Sequence, residues 1–297
     1  MQGWKNYVKG IFDTRPAHLH ILVTGSARLE TFRQSGDSMA GRFFRHRLLP
    51  ISYKELQDKK NDSIDILMER GGFPEPLLSE ESVGADRWRL QYIDGLIRTD
   101  ILDFEHIHDL RVMRTIFELL QRRVGSPLSF NSIAEDIAVS PNTVKKYIDI
   151  LEALYIVFKI TPYSHNIARS LLKEPKIYFY DTGMVIGDDG ARFENLVAVS
   201  LLKHVWGIVD CKGKQTDVNY LRTKDGEEVD FCIVQNSIPI QILEAKAGGK
   251  DIGSSLGKMH LKYGLPAVAV VRNLKREFKE KEIPVIRAEN YLGNLFL

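Results

Sequence analysis

Two cysteines stand in 297 residues, Cys211 and Cys232, and neither belongs to a C-x-x-C pair or a Cys/His cluster. A structural zinc site is therefore not expected, and so few thiols fit a reducing cytoplasm. No apolar run approaches the ~18 residues that a membrane-spanning helix needs, so no membrane partner is expected. The opening "MQGWKNYVKG" lacks the apolar core of a signal peptide. Internal repeats and low-complexity tracts are missing too. Net charge is only +2, a total that says little about partners. The asymmetry lies at the start: residues 1–60 hold eleven Lys and Arg against five Asp and Glu. Such a surplus suits a phosphate-bearing partner, and equally an ordinary solvated surface.

What is present is globular. Hydrophobic residues make up 44% and charged residues 27%, enough apolar material for real cores. The length exceeds one ordinary domain and allows two or three. Trp4, Tyr7, Val8, Ile11 and Phe12 recur at helical spacing. His20-Ile21-Leu22-Val23 reads as a short buried strand, with Thr24-Gly25-Ser26 at its C-terminal end. In open α/β sheets that edge is where ligands sit. One strand is no sheet. The N-terminal unit is thus expected to be incomplete or to borrow strands from a partner, a homo-oligomer being one such arrangement.

Residues 84–125 carry one-sided apolar patterns and read as helices. In 126–160, Ile133, Ile137 and Val139 mark a short helix, and Ser140-Pro141 is a helix start in its N-cap and first residue. Val144, Tyr147, Ile148 and Leu151 mark a second helix, and Tyr155–Ile160 a strand. Helix, tight turn, helix, strand is the pattern of a winged helix-turn-helix. Asn142, Thr143, Lys145 and Lys146 are then candidates for DNA base or phosphate contacts, while Tyr147 faces inward. The alternative is a packing or lid module that touches no nucleic acid. The aromatics of "KIYFYDTG" (176–183) look like a base-stacking strand but suit a core, and His165 forms a nucleophile pair with no nearby Cys or Ser, so it reads as structural.

After residue 188 the order is helix, three strands, helix, strand. Asp188-Asp189 is helix-start chemistry. Phe193, Leu196, Val197, Leu201 and Val205 give the helix a buried stripe, with Glu194 beside it. Side chains alternate along a strand, so Glu244 and Lys246 share a face, and Asp230 lies across a hairpin from them. Asp230 and Glu244 can hold Mg²⁺, which prefers hard oxygen ligands. Lys246 can orient a water or meet a phosphate, and Glu194 can add a further carboxylate.

This arrangement resembles the PD-(D/E)xK nuclease fold. The resemblance makes Asp230 the motif aspartate, Glu244 and Lys246 the E-x-K pair, and Glu194 the helix-borne glutamate. More of the chain takes part in a second resemblance. "HILVTGSARLE", "GRFFRHRLLPISYKEL", "GGFPEPLL", "YIDGLIRTDI", "RSLLKEPKIYFYDTG" and "RFENLVA" run in this order in a family of archaeal and bacterial AAA-type (P-loop) ATPases. These carry a winged helix and an uncharacterised C-terminal domain of the PD-(D/E)xK fold. The resemblance implies an α/β and α+β multidomain chain. Its parts are an AAA-type fragment at 1–60, a helical lid and winged helix at 61–165, and a PD-(D/E)xK-like domain at 166–297.

One departure is large. The phosphate-binding loop G-x-x-x-x-G-K-[ST] is nowhere in the chain, nor is the acidic strand of a Walker B motif before "GWKNYVKG". Those backbone N–H groups and that lysine are what cradle nucleotide phosphates. ATP is therefore expected only if the missing N-terminal half is supplied, and Met1 reads as a truncated start, a fragmentary gene or a degenerate homologue. On the same resemblance Thr24 or Ser26 is the polar residue that senses the γ-phosphate. Arg42 is an arginine that reaches a nucleotide, or else a surface arginine of a basic loop. Two functions are carried forward. One is a cytoplasmic nucleic-acid-associated ATPase relative with Mg²⁺-dependent phosphodiester hydrolysis at Glu194, Asp230, Glu244 and Lys246. The other is a non-catalytic DNA-binding or protein-interaction module built on the same scaffold.

Overall fold

The amphipathic N-terminal spacing produces a helix, α1 (Trp4–Thr14), none of whose residues is buried. The computed structural model describes residues 4–25, 39, 41–56, 63–96, 109–164, 174–223, 225–249 and 252–297. Its main departure from the sequence reading comes at once. His20–Val23 form no strand. Leu22 is 88% exposed, with Leu19, Ile21 and Val23 exposed beside it. A strand satisfies its backbone only through neighbours, and no described strand pairs with this segment.

Residues 41–56 are fastened to the body by charge. The Arg47 guanidinium forks onto Asp210, Nε to Oδ2 at 3.0 Å and Nη2 to Oδ1 at 2.6 Å, and lies over the Trp206 ring at 4.0 Å. Lys203 donates to the Pro50 carbonyl at 2.9 Å and pairs with Glu55 on α2 (Tyr53–Leu56).

Helices α3 (Ser63–Arg70), α4 (Pro74–Leu77), α5 (Ser82–Gly95) and α6 (Leu110–Gln121) follow. The second half of the expected helix at 87–104 lies outside the described residues. Asp109 caps α6 by accepting from the N–H groups of Arg111 and Val112, and Met113, Ile116, Phe117 and Leu120 form its buried stripe. Then come α7 (Phe130–Asp136) and α8 (Pro141–Ala153). Ser140 accepts from Thr143 N–H at 3.1 Å, a cap worth about 1 kcal/mol. Strand β1 (Val157–Ile160) pairs antiparallel with β2 (Lys176–Phe179), so "KIYF" is wholly buried and its aromatics are core.

A long helix, α9 (Asp189–Lys212), starts on the Asp188 cap and stops at Gly213, whose φ of 63° is left-handed. It leads into β3 (Thr216–Arg222), β4 (Glu228–Gln235), β5 (Ile238–Lys246), α10 (Ser254–Tyr263) and β6 (Ala267–Val271). Beyond the elements expected from sequence lie β7 (Phe278–Glu280), β8 (Ile283–Arg287) and α11 (Ala288–Gly293). The sheet order is β3-β4-β5-β6-β8-β7. The β3-β4, β4-β5 and β8-β7 pairs are antiparallel, while β5-β6 and β6-β8 are parallel. One face, with Phe231, Ile233, Leu243 and Val270, shares a core with α9 and the helical middle. The other, with Val229, Cys232, Ile242 and Ala269, packs on α10 through Leu256 and Met259.

Where α5 meets the turn after β2, a buried ion pair sits under this larger core. Arg89 Nε donates to Asp181 Oδ2 at 3.0 Å, and Asp181 is 0% exposed. The remaining Arg89 nitrogens reach Asp86 and the Glu69 carbonyl, and Asp181 Oδ1 accepts from Gly183 N–H. Burial pushes the Asp181 carboxyl up and Arg89 opposes that shift. Arg89→Met would leave a buried carboxylate unanswered. It is expected to cost about 3–5 kcal/mol in urea denaturation. A loss below about 1 kcal/mol would contradict the assignment.

Candidate functional site

The site grows from a hairpin and a bulge. Asn236 and Ser237 both take positive φ, 50° and 65°, in the two-residue turn that joins β4 to β5. Across β3, Asn219 pairs with Cys232 but Leu221 pairs with Val229, so β4 fits one extra residue between Val229 and Cys232. The faces agree: Val229 and Cys232 both lie in the α10 core although three positions apart. Bulges re-aim side chains, and this one holds Asp230. The Asp230 Oδ2 atom accepts from Ala245 N–H on β5 at 3.0 Å.

Glu244 and Lys246 follow Ile242 on the α10 face by the two-residue period of the strand. Glu244 Oε2 accepts from Gly253 N–H at 2.7 Å, at the N-cap of α10. A Cβ at Gly253 would stand 2.1 Å from Glu244 Oε1, so any larger residue there would displace that carboxylate from its present position. The Lys246 ammonium lies 3.7 Å from Glu244 Oε1.

On the other side, Glu194 projects from α9 and accepts from the Tyr178 hydroxyl at 2.7 Å. Gly125, at φ +75°, leaves it room: a Cβ there would be 2.7 Å from Oε1. Between these groups lies Lys176, the first residue of β2 and 1% exposed. Its Nζ is 2.8 Å from Glu228, 3.6 Å from Glu194 and 3.9 Å from Asp230. Arg222 reaches Glu228 from the rim at 3.9 Å. The structure thus brings Asp230 next to both halves: Glu244 and Lys246 on one side, Glu194 with Lys176 on the other.

Electrostatics follow from burial. Glu194 is pushed up from 4.5 to about 7, first by burial and then by the Asp230 charge, against the pull of Lys176 and Tyr178. Burial raises Asp230, with Lys176 opposing. Burial raises Glu244 too, opposed by Gly253 N–H and Lys246 and reinforced by Asp230. Burial drags on the Lys176 ammonium, yet Glu194, Asp230 and Glu228 outweigh it and its pKa rises. Among the described residues, no group of three or more His, Cys, Asp or Glu side chains is placed to hold a metal ion. Asp230 and Glu244 stand as a pair.

The remaining candidates are dispersed. Thr24 is exposed at the end of the unpaired N-terminal segment, and Ser26 lies outside the described residues, as does His165. Arg42 is held by Asp13 on α1, Nε to Oδ1 at 2.9 Å. Asn142, Lys145 and Lys146 are exposed on α8. Thr143 is occupied at the cap, its hydroxyl 2.9 Å from that of Ser140, and Tyr147 is buried as expected. Sequence reasoning did not single out Lys176, Tyr178 or Glu228 for the site. The available signals were a lysine opening an otherwise apolar strand and an acid two residues before Asp230. Among the described residues no helix is long and apolar enough to cross a membrane.

Glu194→Gln keeps an acceptor for Tyr178, and Lys176 keeps Glu228. An acid whose pKa climbs from 4.5 to about 7 on folding holds its proton more tightly in the folded state. Stability therefore falls as pH rises across that window and stays low above it. The variant should match its parent near the lower bound and exceed it by about 3 kcal/mol above the upper one. Denaturation at a series of pH values checks this, and a gap of constant size would contradict it.

Comparison with known proteins divides the chain three ways. A model described as an AAA domain matches residues 1–57. A domain of unknown function (DUF8612) matches 61–187, and another (DUF4143) matches 189–291. An uncharacterized protein of Haemophilus influenzae is 26% identical over 255 residues, covering 78% of this chain and 60% of its own length. One from Mycobacterium tuberculosis is 27% identical over 264 residues, covering 84% and 57%. One from Methanocaldococcus jannaschii is 22% identical over 271 residues, covering 82% and 58%. The chain thus spans about three fifths of the length of these relatives. No solved structure matches. The first 57 residues are thus similar to an AAA domain, and two domains of unknown function match the rest of the chain behind them.

Proposed function

We propose that α9 to β6 form a PD-(D/E)xK-type unit that cleaves phosphodiester bonds in DNA with the help of Mg²⁺. The observation that carries this reading is the lashing of Asp230 to the Ala245 backbone between Glu244 and Lys246. It gathers two acids and an ammonium at one end of the β4-β5 hairpin. The order helix, three strands, helix, strand, with β5 and β6 parallel, supports the same fold.

The residues fit a hard divalent cation. Asp230 and Glu244 each spend one oxygen on a backbone N–H, which fixes the carboxylate, and turn the other toward a lysine. Four carboxylates (Glu194, Glu228, Asp230, Glu244) face Lys176, Lys246 and the rim Arg222, so acid exceeds base by one. Asp230 and Glu244 would hold the ion. When bound, Mg²⁺ polarises a phosphoryl oxygen and lowers the pKa of water. Lys246 would meet the phosphoryl oxygens as negative charge builds there. Glu194, poised near neutrality, can accept a proton at its carboxylate. The helix pair α7–α8 would contribute DNA contacts through Asn142, Lys145 and Lys146. ATP chemistry would need a phosphate-binding loop, which this sequence does not contain, with Thr24, Ser26 and Arg42 as its sensing residues.

A second reading rests on Lys176. Its buried ammonium already answers Glu194, Glu228 and Asp230 as an internal cation, which favours a scaffold that binds nucleic acid or protein without cleaving.

A plasmid-nicking assay separates the two. Mg²⁺-dependent nicking that falls at least about a hundredfold in Glu244→Ala is the outcome expected of the nuclease. Equal rates for parent and variant would leave only the scaffold. For the helix pair, Lys145→Glu and Lys146→Glu should each weaken DNA binding for all sequences and lower the salt slope by about one. Unchanged affinity at low salt would remove α8 from the interface.

A further inference from the structure

A second polar site lies away from these carboxylates. The end of α3, the start of α5, the turn after β2 and the first turn of α9 enclose a cavity of about 160 Å³. Three arginines line it: Arg70, Arg89 and Arg192. Their roles differ. All three reaching groups of Arg89 are engaged, with Asp181, Asp86 and the Glu69 carbonyl, so its charge is answered. Gly183 lies flat against it, for a Cβ there would fall 2.0 Å from Arg89 Nη2. Arg70 spends Nη1 on the Ser79 carbonyl, and its Nε is buried without an acceptor. The Nε of Arg192 is buried without an acceptor as well.

Buried guanidinium N–H groups without acceptors are rare and costly in a folded protein. The two side chains line one small cavity and form no ion pair among the described residues. We propose that this cavity is a phosphate site, with Arg70 and Arg192 as its donors and Arg89 as the fixed floor between them. Guanidinium forks match oxyanions in shape and charge. Donors arriving from two separate helices, α3 and α9, suit a tetrahedral group, which offers oxygens in several directions. The volume is smaller than the roughly 300–1,000 Å³ of sites that enclose a whole small-molecule ligand. It therefore takes a phosphate group alone, free or at the end of a larger molecule. Glu69 and Asp86 also line the cavity, and the Asp86 carboxylate is spent on Arg89. None of the groups proposed for phosphodiester cleavage takes part.

Titration calorimetry of the full 297-residue chain with inorganic phosphate tests the site. Acetate and chloride at matched ionic strength serve as controls. Phosphate should bind and the controls should not. Arg192→Gln should weaken phosphate binding roughly tenfold to a hundredfold, the worth of a charge-assisted hydrogen bond. Arg192→Lys, which keeps the charge but loses the fork, should fall between. Thermal unfolding without phosphate should leave both variants as stable as the parent, because neither loses a partner. No phosphate binding, or equal binding in parent and Arg192→Gln, overturns the proposal, as does acetate binding as well as phosphate. An oligonucleotide with a 5′-phosphate, set against its hydroxyl-ended twin, then identifies the source. Preference for the phosphorylated end assigns nucleic acid, and equal binding assigns the free ion.

Discussion

An ammonium group removed from water stays charged only where carboxylates surround it, and Lys176 has three of them within 3.9 Å. Each belongs to a different part of the chain's path: Glu194 to α9, Glu228 to the start of β4, Asp230 to the bulge. Lys176 itself opens β2, whose partner strand is β1 and not the large sheet. One side chain therefore stitches the two-stranded sheet to the six-stranded sheet and to the long helix. Removing Lys176 would leave several half-buried carboxylates unanswered, whereas losing Glu194 alone still leaves Lys176 paired with Glu228. The acidity of the site is set in the same place, since Lys176 is what limits the rise of Asp230 and Glu194.

The architecture around this point gathers charge by backbone means. A bulge turns Asp230 toward β5, and an amide of β5 receives it. The first turn of α10 receives Glu244 through a second amide. Both acids are held by backbone N–H groups, which fixes one oxygen of each carboxylate in place. The arginine cavity is built differently. There the positions come from helix packing, and the salt bridge beneath Arg89 keeps one guanidinium still while two others flank it.

Much of this was legible from sequence where a short-range rule operated alone. Ser140-Pro141 announced α8, Asp188 announced α9, and the alternation of 228–247 announced the hairpin that sets Asp230 beside Ala245. The same alternation put Glu244 and Lys246 on one face. Legibility failed where a residue's surroundings come from far along the chain. His20–Val23 has the composition of a strand, but a strand exists only when another pairs with it. The β7-β8 hairpin turns on Lys281 and Glu282, both at positive φ, 49° and 65°, where Gly or Asn is the usual cue. Lys176 drew no reading from sequence, since its three acids follow it by eighteen residues or more. Arg70, Arg89 and Arg192 are spread over more than a hundred positions, and no local pattern joins them.

Two glycines stand guard over acids they do not resemble. Gly125 backs Glu194 and Gly253 backs Glu244, from opposite faces of the sheet, each so close that a single methyl group would occupy the carboxylate's seat. A change that leaves all four carboxylates in the sequence can therefore still move two of them, through an alanine at either neighbour.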